Sequence, residues 1–474
     1  MQGANSKAFP ASARAALADA VLQSALDNLK SGFPVRRAEV VADLPEFEAL
    51  RDAARDIKNH TLANLDAYLE LYEERVTASG GQVHWARTAA EACDVVMRIC
   101  TDAGARTVTK GKSMVAEEIG LNERLDASGI RRVETDLGEY IVQLRGETPS
   151  HIIVPAVHVT RQEIGATFRE AHDGLDPARS LDDPRAITDE ARERLRADFF
   201  AAEVGITGAN FLIAESGSSV IVTNEGNGDL TQTLARVHVV VASIEKLVPT
   251  AEDALAILRL LARSATGQEA SVYTTVSTGP RQPGDPDGPD AYHVVLVDNG
   301  RSALIGTGFQ DMLRCIRCAA CMNHCPVYGA VGGHAYGWVY PGPMGAVLTP
   351  SLIGIDHSSH LPNASTFCGR CEQVCPMRIP LTRMMRNYRA IAHDRGLGSR
   401  RARLALTLWV LVASRPVLYR WAARAGAAAL RVLAFGRGRL RRLPLAAGWT
   451  STRDLPAPEA GGTFMSRYRR GQQR

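Results

Sequence analysis

The sequence lacks several features that would assign it to common protein classes. No run of 18 apolar residues occurs in the 474-residue chain, so we expect no helix that spans a bilayer. Met1–Leu17 has no apolar core behind a basic start, and Arg36-Arg37 is not followed by the pattern of a twin-arginine signal. The sequence therefore predicts a cytoplasmic protein.

Nucleotide-binding loops are also missing. No Gly-x-Gly-x-x-Gly follows a predicted strand, which leaves nicotinamide or flavin binding by a Rossmann loop unsupported. The segment Thr109–Ser113 has the lysines of a phosphate loop without the first glycine and spacing of a Walker A motif.

Residues 391–474 contain no lysine, 17 arginines and only three acidic residues. This segment carries a net charge of +14, and since the whole chain carries +4, residues 1–390 carry −10. Arg420, Arg424 and Arg431 share one face of a predicted amphipathic helix, a pattern typical of contact with an anionic membrane surface or an acidic partner. A helix docked on the chain's own core explains the pattern equally well, whereas nucleic-acid binding is not predicted, because no recognised motif accompanies the charge.

Seven of the nine cysteines form two related motifs near residues 315–376. The first is Cys-x2-Cys-x2-Cys-x3-Cys-Pro, and the second is Cys-x2-Cys-x3-Cys-Pro. Seven thiols with two Cys-Pro endings fit a four-ligand zinc site poorly and fit two iron–sulfur clusters, most simply of the 4Fe-4S type, well. The other two, Cys93 and Cys100, are expected to be small buried apolar residues.

In two-cluster ferredoxins the fourth cysteine of a motif binds the other cluster. This rule gives two predicted ligand sets: Cys315, Cys318, Cys321 and Cys375 for cluster one; Cys325, Cys368 and Cys371 for cluster two. Cluster two lacks a fourth cysteine, since Ser365 stands three residues before Cys368. It is therefore a 3Fe-4S cluster, or a 4Fe-4S cluster with an open iron, a partner's cysteine, or a ligand such as Ser365, His357 or His360.

The predicted organisation has four parts. Residues 1–75 are expected to be helical with a break near Gly32, and residues 76–300 form an α/β domain with a largely parallel sheet. Residues 301–390 form a small α-helical, ferredoxin-like two-cluster domain, and residues 391–474 a basic helical tail. Within the α/β part, strands are predicted at Tyr140–Leu144 and Ile152–Val154, among others.

Candidate polar sites in the α/β domain are weaker. Lys110, Lys112 and Ser113, between a strand and a helix, could cradle an anion, although a capped helix start explains them equally well. Glu215 could act as an acid or base, but a hairpin turn is the simpler explanation. His151 and His158 could accept a proton from a hydroxyl, yet such histidines are more often structural.

Several longer stretches resemble the lactate utilization protein B family, the iron–sulfur subunit of a three-protein L-lactate oxidation system. The resemblance includes the missing first cysteine of the second motif. The matching stretches are Thr109–Asn122, Glu134–Gln143, Glu147–His158, Gly205–Gly228, Ile244–Pro249 and Tyr273–Arg281.

The resemblance implies an α/β lactate-utilization (LUD) domain related to the sugar-phosphate isomerase and CoA-transferase fold, followed by a ferredoxin-type domain. It implies electron transfer during oxidation of L-lactate to pyruvate. It also implies two sister subunits, a cysteine-rich iron–sulfur protein and a second LUD-domain protein. A self-contained hydroxy-acid dehydrogenase, or a subunit of another reductase complex, remains the alternative.

Overall fold

The computed structural model describes residues 5–111, 113–443, 450, 453–459 and 462–471. The chain forms two compact units, Met1–Ala392 and His393–Arg474. The strands of the first unit are β1 (Gln82–Ala86), β2 (Thr107–Lys110), β3 (Arg131–Glu134), β4 (Val204–Thr207), β5 (Phe211–Ile213), β6 (Ser218–Thr223), β7 (Val237–Ser243), β8 (Leu247–Val248), β9 (Tyr273–Ser277) and β10 (Ala291–Val297).

Eighteen described helices begin in the first unit: α1 (Phe9–Ala18), α2 (Ala20–Ala42), α3 (Phe47–Ala63), α4 (Leu65–Ala78), α5 (Ala89–Asp102), α6 (Met114–Ile119), α7 (Leu121–Ala127), α8 (Leu137–Leu144), α9 (Arg161–Ala171), α10 (Pro184–Ala201), α11 (Asn227–Leu234), α12 (Ala251–Ala265), α13 (Ala320–Asn323), α14 (Tyr328–Val331), α15 (Gly342–Ile353), α16 (Ile355–Ser358), α17 (Arg370–Val374) and α18 (Leu381–Asp394). Short 3-10 turns occur at Ser6–Ala8, Ile244–Lys246, Ser302–Leu304, Gln310–Arg314, His334–Tyr336 and Leu361–Asn363.

A six-stranded parallel sheet, in the order β1-β10-β7-β4-β2-β3, organises the first unit. Val239 of β7 lies opposite Ile206 of β4 and His293 of β10. A second, four-stranded sheet has the order β8-β5-β6-β9, with β6 antiparallel to both of its neighbours. The expected α/β fold with a largely parallel sheet is confirmed.

Helices cover both faces of the parallel sheet, as they must when every strand is apolar on both sides. Val239 and Val241 of β7 pack with α5, α6 and α7, where Cys93 and Cys100 are also buried. Val240 and Ala242, which alternate with them, pack with α3 and α4. The helical N-terminal segment is therefore one wall of the α/β core.

Two strands expected from the sequence are not formed. Tyr140–Leu144 lies in α8, which begins where the Asp136 side chain accepts hydrogen bonds from the amides of Gly138 and Glu139. Ile152–Val154 is a turn, because the amides of Ile153 and Val154 donate to Nδ1 of His151 at 3.1 and 3.0 Å instead of to a neighbouring strand.

The break expected near Gly32 is also wrong. Helix α2 continues through Ala20–Ala42 with Pro34 in its interior. Leu26 and Leu29 before the proline, and Arg37 after it, are buried against the rest of the unit. These tertiary contacts hold the helix across a residue that costs about 3 kcal/mol in an isolated one.

The second unit contains α19 (Arg400–Ala413), α20 (Pro416–Leu433), α21 (Phe464–Gly471), and the antiparallel pair β11 (Arg439–Leu440) and β12 (Leu455–Pro456). No residue of α19 or α20 is buried. Among the described helices, none alone is long and apolar enough to cross a bilayer; α19 and α20, bent by 112°, meet the length and composition criteria only as a pair.

Candidate metal centre and adjoining cavity

The two cysteine motifs lie side by side, because α13, which contains Cys321, packs against α17, which contains Cys371. Cys315, Cys318, Cys321 and Cys375 together line one cavity. Burial, followed by the proximity of the Cys375 thiol, raises the pKa of Cys318 above its usual range. These four residues, drawn from both motifs, are called thiol set one.

The remaining motif cysteines form thiol set two: Cys325, Cys368 and Cys371. Burial and the nearby Cys325 thiol raise the pKa of Cys371 to about 12, and the thiol of Cys368 is a further neighbour. Cys371 also lies close to Cys321, so the two sets adjoin. The structure thus places the cysteines in the groups that the ferredoxin spacing predicts, while their role as ligands remains a prediction.

The backbone of the two motifs follows the same path, with residues fifty positions apart in matching conformations. Arg317 and Phe367 have φ values of 59° and 55°, and Ala319 and Gly369 have values of 60° and 80°. A non-glycine residue in this left-handed region costs roughly 1–2 kcal/mol, so its recurrence beside cysteines indicates a functional constraint. By the same fifty-residue spacing, Ser365 corresponds to Cys315.

The thiols differ in their burial and therefore in their acidity. Burial raises the pKa of Cys321, Cys325 and Cys375. Cys368 differs: it is exposed, and hydrogen bonding from the Arg370 amide is the main cause of its lowered pKa. Because a metal-bound cysteine is deprotonated, cluster assembly would release protons chiefly from the buried thiols.

Thiol set one has the number of ligands that a cubane needs, since each of its four irons binds one thiolate. Its four cysteines line a single cavity, which suits a cluster.

Two buried arginines from the N-terminal helices hold the second cysteine loop. Arg51 of α3 donates to the carbonyl oxygens of Cys375, at 2.7 Å, and Gln373, at 2.9 Å. Arg37 of α2 donates to the carbonyl of Val374 at 3.1 Å. The sequence analysis assigned no function to these helices. The position of Arg51 on the apolar face of α3, one turn from Phe47, was the feature that could have indicated a buried role for this arginine.

A chain of buried ion pairs connects the α/β domain to the first cysteine loop. Glu118 of α6 lies 2.6 Å from Arg301 Nη2, and Arg301 Nε lies 2.8 Å from Glu245. Glu245 in turn accepts a hydrogen bond from Arg317, between Cys315 and Cys318, at 2.9 Å. The paired arginines lower the pKa of Glu245 to about 2 against the opposing effect of burial.

A larger cavity, of about 480 Å³, lies at the carboxyl ends of parallel strands. Its lining includes Ser113 after β2, Asp136 after β3, Gly208 after β4 and Lys246 after β7. This edge is where open parallel sheets bind ligands, and the volume is within the range of small-molecule sites. Arg317 lines it as well, so the cavity adjoins the first cysteine loop.

The predicted anion residues are only partly assembled there. Lys110 is fully buried, and its Nζ lies 2.7 Å from Glu117 and 2.9 Å from Glu134, so its charge is already paired. Ser113 lines the cavity and caps α6 through the amide of Ala116. Lys112 lies outside the described residues.

Glu215 lies elsewhere, in the turn between β5 and β6. Its Oε1 accepts a hydrogen bond from the amide of Ala251 at 2.7 Å, at the start of α12. This contact is structural, and the side chain does not line the cavity.

The two histidines are tied into structural contacts. Nε2 of His151 lies 2.9 Å from Asn323 of α13. Nε2 of His158 lies 2.6 Å from Glu147, and its Nδ1 lies 2.7 Å from Ser150. These bonds support the structural explanation that the sequence favoured.

Two protein families match successive parts of the first unit. A family described as LUD domain matches residues 69–297, and one described as 4Fe-4S dicluster domain matches residues 311–379. The electron transport protein YkgF of Escherichia coli (strain K12) is 40% identical over 98% of this chain and 97% of its own.

Two further relatives bear the name lactate utilization protein B. The protein of Macrococcus caseolyticus (strain JCSC5402) is 42% identical over 95% of this chain and 94% of its own. That of Geobacillus thermodenitrificans (strain NG80-2) is 45% identical over 90% of this chain and 89% of its own. This chain, with its LUD domain and its 4Fe-4S dicluster domain, therefore belongs to the lactate utilization protein B family.

Proposed function

We propose that this chain is the iron–sulfur electron-transfer subunit of a system that oxidises L-lactate to pyruvate. The observation that carries the proposal is the grouping of seven cysteines into two adjoining thiol sets beside an α/β cavity. The names of the relatives, an electron transport protein and lactate utilization proteins, supply the metabolic context. When bound, the two clusters supply one-electron transfer, which suits a donor that releases two electrons in sequence.

The residues of the chain give this transfer a direction. Thiol set one lies against the α/β domain, and Arg317 and Ile152 line both its cavity and the larger one. Thiol set two includes the exposed Cys368 and the half-buried Cys325. Electrons would therefore enter at set one and leave at set two, where an acceptor can approach.

The ligand assignment is part of the proposal. Cys315, Cys318, Cys321 and Cys375 hold cluster one, and Cys325, Cys368 and Cys371 hold cluster two. We place Ser365 at the fourth position of cluster two, because it lies fifty residues after Cys315, the spacing that relates the other cysteines of the two motifs. His357 and His360, the other candidates from the sequence, have no such correspondence.

Anaerobic purification, quantification of iron and sulfide, and electron paramagnetic resonance (EPR) of the reduced protein test this proposal. Seven to eight irons per chain, with two interacting signals, are expected. Fewer than about six irons after full reconstitution would contradict it. Variants lacking Cys93 and Cys100 serve as the control, since both are buried in the α/β core and should leave the iron content unchanged.

As an electron-transfer subunit, the chain should need partners for turnover. We expect reduction of an artificial acceptor by L-lactate only after a cysteine-rich iron–sulfur protein and a second LUD-domain protein are added. Turnover by the isolated chain would instead favour a self-contained hydroxy-acid dehydrogenase, for which the 480 Å³ cavity is the available substrate site.

We further propose that the second unit binds the anionic cytoplasmic face of the membrane peripherally. Its described helices expose large apolar side chains, including Trp409 and Trp421, which are 63% and 66% exposed. Residues 391–474 add a net charge of +14 carried by arginine. Apolar side chains among cations are typical of helices that lie in the interface of anionic membranes.

Sedimentation with liposomes tests this contact. The full chain should bind vesicles with anionic lipid and lose binding to neutral vesicles or at high salt. A chain ending at Asp394 provides the comparison, and equal binding by both chains would contradict a role for the second unit.

A further inference from the structure

Lys246 is a buried cation that lines the large cavity, with Glu245 and the Cys315 thiol as charged neighbours. Its side chain follows β7 and is 7% exposed. Among the described residues, its Nζ has no hydrogen bond or ion pair, although it lines the cavity. Glu245 and the Cys315 thiol act on this ammonium electrostatically, but its N–H donors have no hydrogen-bond acceptor among the described residues, so an anionic ligand in the cavity could accept from them.

The neighbouring carboxylates are already paired with other cations. Glu245, adjacent in sequence, is shared between Arg301 and Arg317. Glu118 is shared between Arg301 and the hydroxyl of Tyr340. Lys58 is also buried beside Glu245, so this cluster has four basic side chains, Arg301, Arg317, Lys246 and Lys58, for two carboxylates.

Two other carboxylates line the cavity, but both accept hydrogen bonds from amides at the start of α8. Oδ1 of Asp136 accepts hydrogen bonds from the amides of Gly138 and Glu139, and Oε2 of Glu225 accepts one from Leu137. All three donors lie in the first turn of α8, where carboxylates are stabilised by the helix terminus.

The backbone of the turn that carries Lys246 is held by hydrogen bonds from a second lysine, Lys58. Nζ of Lys58, in α3, donates to the carbonyl oxygens of Glu245 and Leu247, the residues on either side. The ammonium of Lys246 is thus presented on a held backbone, a requirement for selective binding.

The rest of the lining limits what the ammonium can bind. Apolar side chains such as Ile221, Val241 and Leu261 form much of the wall. Oδ1 of Asn210 accepts a hydrogen bond from the amide of Val222, and the side chain of Asn224 bonds to Gln268 and to the amide of Val272. An ammonium beside apolar walls suits the two oxygens of a carboxylate, whereas a phosphate requires several donors.

We propose that Lys246 binds the carboxylate of a small 2-hydroxy or 2-oxo acid in this cavity, next to the loop of thiol set one. The inference rests on the proposed function, since it names the ligand class of the cavity beside cluster one. Arg317 connects the two places: it lines both cavities and forms an ion pair with Glu245.

Calorimetric titration of the anaerobic holoprotein with L-lactate, pyruvate and inorganic phosphate tests the site. L-lactate or pyruvate should bind, and Lys246→Met should weaken binding about tenfold to a hundredfold, the loss of one charge-assisted hydrogen bond. Lys246→Arg should restore most of the affinity. Lys7→Met, at an exposed lysine, is the control and should bind as the unmodified chain does.

EPR of cluster one during the same titration gives a readout besides affinity. The carboxylate should perturb its signal in the unmodified chain and in Lys246→Arg, but not in Lys246→Met. If no acid binds and Lys246→Met only shifts the midpoint potential of cluster one, the ammonium compensates the negative charge of the cluster. The inference is then wrong. Tighter binding of phosphate than of either acid would also overturn it.

The outcomes are separable from those of the proposed function. Iron content and the two EPR signals do not depend on the cavity. An empty cavity with two intact clusters would overturn this inference alone.

Discussion

Thiol set one and thiol set two share a backbone path but lie in different surroundings. Three members of set one, Cys318, Cys321 and Cys375, are 7–8% exposed, and the loop between the first two motif cysteines is tied to the α/β domain through Arg317 and Glu245. Set two has one buried cysteine, while Cys325 is half-buried and Cys368 exposed.

The difference shows how one motif, used twice, produces two unequal sites. Buried cations beside a cluster stabilise its more negative, reduced form, and burial restricts access. Set one therefore has the features of an internal site near a ligand cavity, and set two those of a site accessible to a partner. The predictions below alter one set and ask whether the other responds.

The largest expected effect is the loss of one whole cluster. Cys375→Ser should remove cluster one, although Cys375 belongs to the second motif, because set one draws its fourth thiol from there. Iron content should fall by about half. Cys368→Ser should instead affect cluster two, as judged by EPR.

The two variants check each other. If Cys375→Ser abolished the signal that Cys368→Ser also abolishes, and left the other intact, each motif would hold its own cluster. The crossed assignment would then be wrong.

Breaking the buried ion chain should have the next largest effect. Arg301→Met leaves Glu118 and Glu245 as buried carboxylates with fewer partners, which should cost about 3–5 kcal/mol of unfolding free energy. Urea unfolding under anaerobic conditions measures this loss, and cluster one should become labile before cluster two.

The matched control is an exposed arginine. Arg124 lies 2.5 Å from Asp94, with both side chains more than half exposed, so Arg124→Met should cost about 0–1 kcal/mol. If Arg301→Met and Arg124→Met lowered the free energy of unfolding equally, the buried ion pairs would have no special role in stabilising thiol set one.

Adding a thiol to set two should change its cluster without a large change in stability. Ser365→Cys gives the second motif the cysteine that the first motif has at Cys315, so the EPR signal and midpoint potential of cluster two should shift while cluster one is unaffected. His357→Gln and His360→Gln should leave both signals unchanged. A response to either histidine variant, with none to Ser365→Cys, would assign the fourth position differently.

The smallest predicted effect concerns His238, a buried histidine of the parallel sheet. Burial lowers the pKa of His238, on β7, to about 3, from an ordinary value of 6.5. Because the unfolded chain takes up a proton below pH 6.5 and the folded chain does not, acidification destabilises the fold. This residue should contribute about 1.4 kcal/mol of the loss between pH 8 and 5.5.

The pH dependence of unfolding of His238→Gln measures this contribution. Its stability should fall less steeply with acidification than that of the unmodified chain, whatever its stability at pH 8. An identical slope would show that the pKa of His238 is the same in the folded and unfolded chains. His393→Gln, at an exposed position, should keep the original slope.

Much of the fold was accessible from the sequence because it depends on local patterns. Alternating apolar strands and helices predicted the parallel sheet, and β3, from Arg131 to Glu134, was located with its observed bounds. Local patterns failed where a side chain replaced backbone pairing, as His151 does for the amides of Ile153 and Val154. They failed also at Pro34, where burial of the surrounding helix outweighs an intrinsic break.

By itself, the sequence determined the cysteine chemistry, since thiolate spacing and Cys-Pro endings are properties of short segments. Only the tertiary structure decided what surrounds those thiols. Arg37 and Arg51 reach the second loop across more than 320 residues, and Lys246 meets the first loop through a cavity. Such contacts follow from packing distant segments together, and no local spacing encodes which cation will line a cavity.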